Sequence, residues 1–217
     1  MADDWRLLLE PGLKALGTTL PAGGEAKLLA YVELLARWNQ AYNLTAIRDP
    51  QEMLVKHVLD SLAVAPFINA GPVADVGTGA GLPGIPLAVA RPELRSTLID
   101  SNGKKTRFVT QAVAELKLAN VEVLQARAEA HRPAAPYALV LSRAFSSLAD
   151  FAGLAGHLVG PGGRLLAMKG AKPMDELAAV PAGFRVLHVH PLKVPGLDAE
   201  RCLVEIEKQA VSAPKRI

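Results

Sequence analysis

The stretch VADVGTGAGLPGIP, from Val73 to Pro86, holds the residues with the clearest chemical potential. A short apolar run carries a carboxylate, Asp75, and passes at once into a loop with glycines at 77, 79, 81 and 84. Glycines at such spacings let a backbone turn sharply and approach a ligand closely. A nucleoside triphosphate, a nicotinamide dinucleotide or S-adenosylmethionine would each use a loop of this kind. A tight strand-to-helix turn with no ligand is the remaining alternative.

The triphosphate pattern G-x-x-x-x-G-K-[ST] fails, because the GKKT at Gly103 has Leu98 where the first glycine belongs. Gly79, Gly81 and Gly84 match the dinucleotide pattern, with Asp100 about twenty residues on, where a ribose carboxylate is placed. The register favours the methyl donor. The strand ends at Val76, the first turn glycine is Gly77, and Asp75 precedes it by two residues. A carboxylate there suits the ammonium and sulfonium of S-adenosylmethionine and opposes a pyrophosphate. Asp100 closes the strand-like RSTLID, where it would accept the ribose hydroxyls or cap the next helix, a task Ser101 or Asn102 does equally well. Ala128 and Glu129 follow the strand-like VEVLQA and are candidates to line the adenine.

Missing motifs narrow the acceptor. No Asn-Pro pair is present, so the usual signature for exocyclic base nitrogens is absent. Methylation of pyrimidine C5 needs a cysteine, and Cys202 is expected in a C-terminal strand far from the ligand crevice. That leaves a ready nucleophile such as purine N7, for which positioning supplies most of the rate. Arg143, just past the fourth strand, suits a guanine O6 edge or the donor's carboxylate. Phe145 would stack on an extruded base or fill the core. Lys169 and Lys172 would contact phosphates or keep a loop solvated, and Lys104, Lys105 and Arg107 read as a solvated helix face. His188 and His190 share a strand face without a third ligand, so no metal site is expected. His57 carries no case for catalysis.

These residues need a scaffold. Up to about Asn69 the chain reads as helices: Leu28, Val32 and Leu35 fall on one face, and Asp49, Pro50 and Glu52 form a capping-box start that runs to Pro66. From Gly71 strand-like and helical segments alternate, which predicts an α/β Rossmann-like fold of the S-adenosylmethionine-dependent methyltransferase kind. Its sheet is mainly parallel, and FRVLHVHPL and RCLVEIEK form an antiparallel C-terminal hairpin. The expected division is a helical extension over 1–69, the methyltransferase domain over 70–210 and a frayed tail over 211–217.

Composition fits one substantial core with an appendage. The chain has 217 residues, 50% hydrophobic and 21% charged, with a formal charge of +3 and a sequence pI near 9.1. One cysteine excludes an internal disulfide. The N-terminus lacks a basic region before an apolar core, and no apolar run reaches membrane-spanning length, so a soluble cytoplasmic protein is expected.

Several segments together resemble the RsmG family, also called glucose-inhibited division protein B: RWNQAYNLTAIRDPQEMLVKHVLDSL, DVGTGAGLPGIPLA, LSRAFSSL, MKG and VPGLDAERCLVEI. The resemblance runs from about Leu28 to Glu207. It implies methyl transfer from S-adenosylmethionine to N7 of one guanine in the 530 loop of bacterial 16S ribosomal RNA. The expected partner is that RNA, in the small subunit or its assembly intermediate, and the expected state is a monomer. It also implies donor-binding positions at Gly77, Leu82, Ala128, Glu129 and Arg143, a ribose acid at Asp100 and a basic site residue at Lys169. Asp75, Gly79 and Gly81 complete the expected donor cradle. A non-catalytic RNA-binding or assembly factor, or a methyltransferase for a small molecule, is the rival reading. Trp38, Asn39, Asn43 and His57 match a family-typical region whose role, RNA docking or packing, stays open at this point.

Overall fold

The structure is a computed structural model, and residues 4–210 are described here; the predicted tail lies outside them. The alternating segments become seven strands: β1 (Val73–Val76), β2 (Ser96–Asp100), β3 (Val121–Gln125), β4 (Tyr137–Ser142), β5 (Val159–Lys169), β6 (Phe184–Leu192) and β7 (Arg201–Lys208). They form one sheet in the order β3-β2-β1-β4-β5-β7-β6. The pairs β3-β2, β2-β1, β1-β4 and β4-β5 are parallel. β7 runs antiparallel between β5 and β6, so the predicted hairpin forms with its second strand inward.

The helices are α1 (Leu9–Leu16), α2 (Gly24–Tyr42), α3 (residues 50–62), α4 (Gly84–Ala90), α5 (Gly103–Glu115), α6 (Leu148–Ala155) and α7 (Met174–Leu177). All four residues of β1 are buried, as expected of a central parallel strand covered on both faces. Ala74 and Val76 pack with Leu148 and Phe151 of α6 on one face. Val73 points to the other face, with Leu87 of α4 and the connection through Ala65 and Ile68. The predicted face of α2 packs here too: Leu28, Val32 and Leu35 are fully buried in one cluster with Ile85 of α4 and Phe108 of α5.

The reading of one regular helix from Asp49 to Pro66 needs correction. Asp49 does cap it, its carboxylate accepting from the Glu52 N–H at 3.3 Å. The Glu52 side chain pairs with Lys56 at 2.6 Å rather than closing the capping box. From Leu54 to Leu59 the helix widens into a π-turn before returning to α geometry at Asp60. Such wide turns re-aim side chains and occur often at functional sites.

Candidate active site

Two cavities open beside the sheet edge where the parallel strands end. The smaller, about 300 Å³, is lined by Gly77, Asp100, Ala128, Glu129 and Phe145, with apolar walls from Val76, Ile99, Ala126 and Leu154. The larger, about 470 Å³, is lined by Lys56, His57, Asp60, Arg143, Phe145, Lys169, Arg201 and Cys202. The predicted site residues therefore divide into two groups. Asp75, Gly79, Gly81 and Leu82 line neither cavity and build the loop instead.

Asp75 is turned beneath the glycine loop and is 1% exposed. Its Oδ2 accepts from the Thr78 hydroxyl at 2.6 Å and the Gly84 N–H at 2.9 Å. Its Oδ1 has no partner. Burial pushes its pKa up to about 6. The expected direct contact with a donor cation is thus replaced by a structural one. Exclusion of a dinucleotide survives for a different reason: the carboxylate already occupies an N–H at the start of α4, where a pyrophosphate would bind. The Leu82 side chain is buried in the core, and its N–H is used on the Thr78 carbonyl at 2.8 Å. Gly79 gives its N–H to Asp100 at 2.9 Å, and Gly81 bonds Thr78 at 2.9 Å.

Gly77 is the loop residue at the cavity. Its φ is +70°, and a Cβ there would stand 2.6 Å from the Cβ of Ala144. Asp100 lies at the other wall. Its Oδ2 holds Gly79, its Oδ1 accepts from the Asn102 N–H at 2.8 Å, and each oxygen keeps a lone pair for a further donor. Asn102, not Asp100, caps α5. An acid with free acceptor capacity, a bare glycine and apolar walls fit the adenosine part of S-adenosylmethionine. The N-terminal extension braces this loop, since the fully buried Tyr31 of α2 donates its hydroxyl to the Ala80 carbonyl at 2.7 Å. Nothing in the sequence marked Tyr31 beyond its place beside Leu28 and Val32.

The larger cavity is organised by a carboxylate that the sequence reading missed. Asp60, 2% exposed, accepts from Arg143 Nη1 at 3.1 Å through Oδ2 and from Arg201 Nε at 3.1 Å through Oδ1. Arg143 Nη1 also meets the Lys56 carbonyl at 3.2 Å. One buried acid thus holds two guanidiniums and leaves a net positive charge facing the cavity. His57 stands beside them, its Nδ1 3.1 Å from the Lys56 carbonyl and its Nε2 2.9 Å from the Thr45 hydroxyl. Thr45 is set by Asn39, whose side chain also holds the Ile47 carbonyl. Asn43 ends α2 in a left-handed conformation, and Trp38 packs on Phe108. Of the family-typical N-terminal residues, His57 lines this cavity and Asn39 supports it through Thr45, while Trp38 packs in the core and the exposed Asn43 accepts from Arg48. The only advance signal was the acid-and-histidine spacing of HVLD in one helix.

Burial, then the nearby Arg143 charge, pushes the pKa of His57 down to about 4 from 6.5. The unfolded chain takes up this proton first on acidification, so stability present above about pH 6.5 is lost as pH falls toward 4. The contribution is on the order of 3 kcal/mol. Urea unfolding across that window should show His57→Gln with a flatter stability profile than the parent.

Lys169 departs from its expected contact with phosphate. Its ammonium binds Glu176 at 2.8 Å and the carbonyls of Ser146 at 2.9 Å and Phe145 at 3.4 Å. It fixes the loop after β4 while lining the larger cavity. Cys202 departs too. Because β7 is antiparallel, its first residues lie beside the end of β5, with Cys202 opposite Lys169 and at the cavity wall. Burial raises its thiol pKa, so it is a poor nucleophile. Among the described residues no His, Cys, Asp and Glu cluster could hold a metal, and no helix is long and apolar enough to cross a membrane.

With this geometry in place, comparison with known proteins is decisive. The family model described as GidB, rRNA small subunit methyltransferase G, matches residues 24–204. The chain belongs to the GidB family. A Xanthomonas axonopodis protein named ribosomal RNA small subunit methyltransferase G is 53% identical over 208 residues, covering 96% of this chain and 97% of its own. A Pseudomonas aeruginosa protein of the same name is 54% identical over 203 residues, covering 93% and 95%. Among solved structures, the S-adenosylmethionine-dependent methyltransferase SibL aligns with a TM-score of 0.57 at 18% identity, covering 85% of this chain and 70% of its own. That likeness concerns the fold. As a GidB-family protein the chain is a methyltransferase, and S-adenosylmethionine is its cofactor.

Proposed function

We propose that this GidB-family enzyme methylates N7 of a single guanine in the 530 loop of bacterial 16S ribosomal RNA, acting in the cytoplasm as a monomer on the small subunit or its assembly intermediate. One observation carries this reading: the larger cavity offers cationic donors and no free base. Asp60 is almost wholly buried and neutralised by two guanidiniums, His57 is too weak a base, and Cys202 is a buried thiol. An acceptor that must lose a proton is poorly served there, whereas N7 of guanine carries a lone pair and needs none.

S-adenosylmethionine supplies an electrophilic methyl on its sulfonium and leaves as the neutral thioether. Asp100 would hold the ribose hydroxyls, Gly77 would let the backbone come close, and Ala128 and Glu129 would border the adenine. Arg143, aligned by Asp60, donates to guanine O6 or to the donor's carboxylate. Arg201 and Lys56 attract the RNA backbone. Transfer would form the N7–carbon bond as the carbon–sulfur bond breaks, leaving the positive charge on a base held by these residues. The rate comes from alignment in a water-poor site.

The test uses purified protein, labelled S-adenosylmethionine and small subunits that lack their own methylation, with base-labile N7-methylguanine mapped on the RNA. Label at one guanine of the 530 loop is the expected result. Donor binding without label on RNA, naked or in particles, would overturn the substrate; salt-sensitive RNA binding without transfer would point to the assembly-factor reading.

A further inference from the structure

Phe145 is the one residue that lines both cavities. Its ring is stacked on one side by the fully buried Phe151, with centroids 5.1 Å apart and planes at 28°. A core phenylalanine is covered on all sides; this one is half-buried. Its backbone is clamped from both directions. Lys169 binds the carbonyls of Phe145 and Ser146. On the other side Ser142 donates to the Val76 carbonyl at 2.6 Å and accepts from the Ala144 N–H at 3.1 Å, while Ala144 abuts Gly77. Phe145 therefore sits on a held backbone at the partition between the two cavities, with its ring bordering both.

We infer that Phe145 is the stacking platform of the acceptor base and that its π face stabilises the positive charge that develops on the purine during transfer. The inference rests on the methyl-transfer reading above. Elsewhere the larger cavity is lined by the apolar Ile47, Met168 and Leu192 and by Lys56, Arg143 and Arg201, whose charges are partly met by Glu52 and Asp60. The cationic ends suit a neutral guanine and its phosphates better than a methylated, cationic base. With the Asp60 carboxylate already shared by two arginines, the aromatic face is the further wall element that attracts a cation, and its attraction grows as charge builds on the purine. The partition thus acts most strongly on the transition state, not on the resting substrate.

The test replaces Phe145 with leucine, with tyrosine, and with a series of mono-, di- and trifluorinated phenylalanines, which keep the ring's shape while draining its quadrupole. Donor affinity is measured by calorimetry and folding by thermal melting. Methyl transfer to undermethylated small subunits is resolved into kcat and KM. Phe145→Leu should lower kcat/KM for RNA by about 10- to 100-fold while donor Kd stays within about twofold, and Phe145→Tyr should recover most of the loss. Across the fluorinated series kcat should fall stepwise, to about a tenth overall. A flat series, or a tyrosine variant as slow as leucine, would show the ring to be mere filling and overturn the inference. Donor affinity falling in parallel with transfer would also overturn it, placing Phe145 in the donor site alone. Failure of the parent protein to methylate RNA would instead strike the proposed function.

Discussion

Asp60→Ala is expected to abolish methyl transfer, by about a thousandfold or more, while S-adenosylmethionine still binds. The carboxylate is almost wholly buried and is the shared partner of Arg143 and Arg201. Removing it leaves two guanidiniums facing each other with no anion between them. Breaking a buried ion pair from one side costs about 3–5 kcal/mol, because the surviving charge is stranded. Here each arginine can swing toward solvent, since their side chains are 27% and 25% exposed. The fold is therefore expected to survive with a lowered Tm, and the aligned donor pair to be lost. Asp60→Asn separates charge from shape, keeping one acceptor oxygen. It should retain more stability than alanine yet remain strongly impaired in transfer. Full activity in Asp60→Ala would show that neither arginine needs alignment.

Gly77→Ala should do the reverse, destroying donor binding first. An alanine at φ +70° pays the left-handed backbone penalty of about 1–2 kcal/mol. Its Cβ would also press to 2.6 Å from the Cβ of Ala144, a short side chain with no rotamer to yield. The loop or the segment carrying Phe145 must then shift at the cavity wall. Donor Kd is expected to weaken by about a hundredfold, read by calorimetry, with stability reduced by roughly 2–3 kcal/mol. A Gly17→Ala control adopts the same left-handed conformation at the end of α1, where no atom lies within 4 Å of the added methyl. It should cost stability alone.

Much of the fold was legible because local pattern and global placement agree. The alternation from Val73 onward gave every strand, and Asp49 caps its helix as its type and position suggest. Leu28, Val32 and Leu35 were readable as a buried face. The smaller cavity was partly legible, since Gly77, Asp100, Ala128 and Glu129 do meet around it. The other wall was hidden for physical reasons. A π-turn is not written in helical periodicity, so His57 and Asp60 looked like ordinary helix residues. Strand order is invisible in a hairpin pattern, so Cys202 was placed far from a cavity it borders. The partners of a charge are not readable from its type: Asp75 serves the loop, and Lys169 is spent on Glu176 and backbone carbonyls.

The inward position of β7 bears on how the enzyme is made. β6 precedes it in the chain but joins the sheet only through it. Arg201, at its first residue, reaches an acid 141 positions earlier. Synthesis runs from the N-terminus, and segments fold as they emerge. The glycine loop and Asp60 thus exist well before the arginine that completes their neighbour. A chain that stops before Arg201 lacks half of the guanidinium pair and the strand that carries it. Prematurely terminated copies should therefore be silent toward RNA, and competence arrives only when the last strand slots into a sheet that was waiting for it.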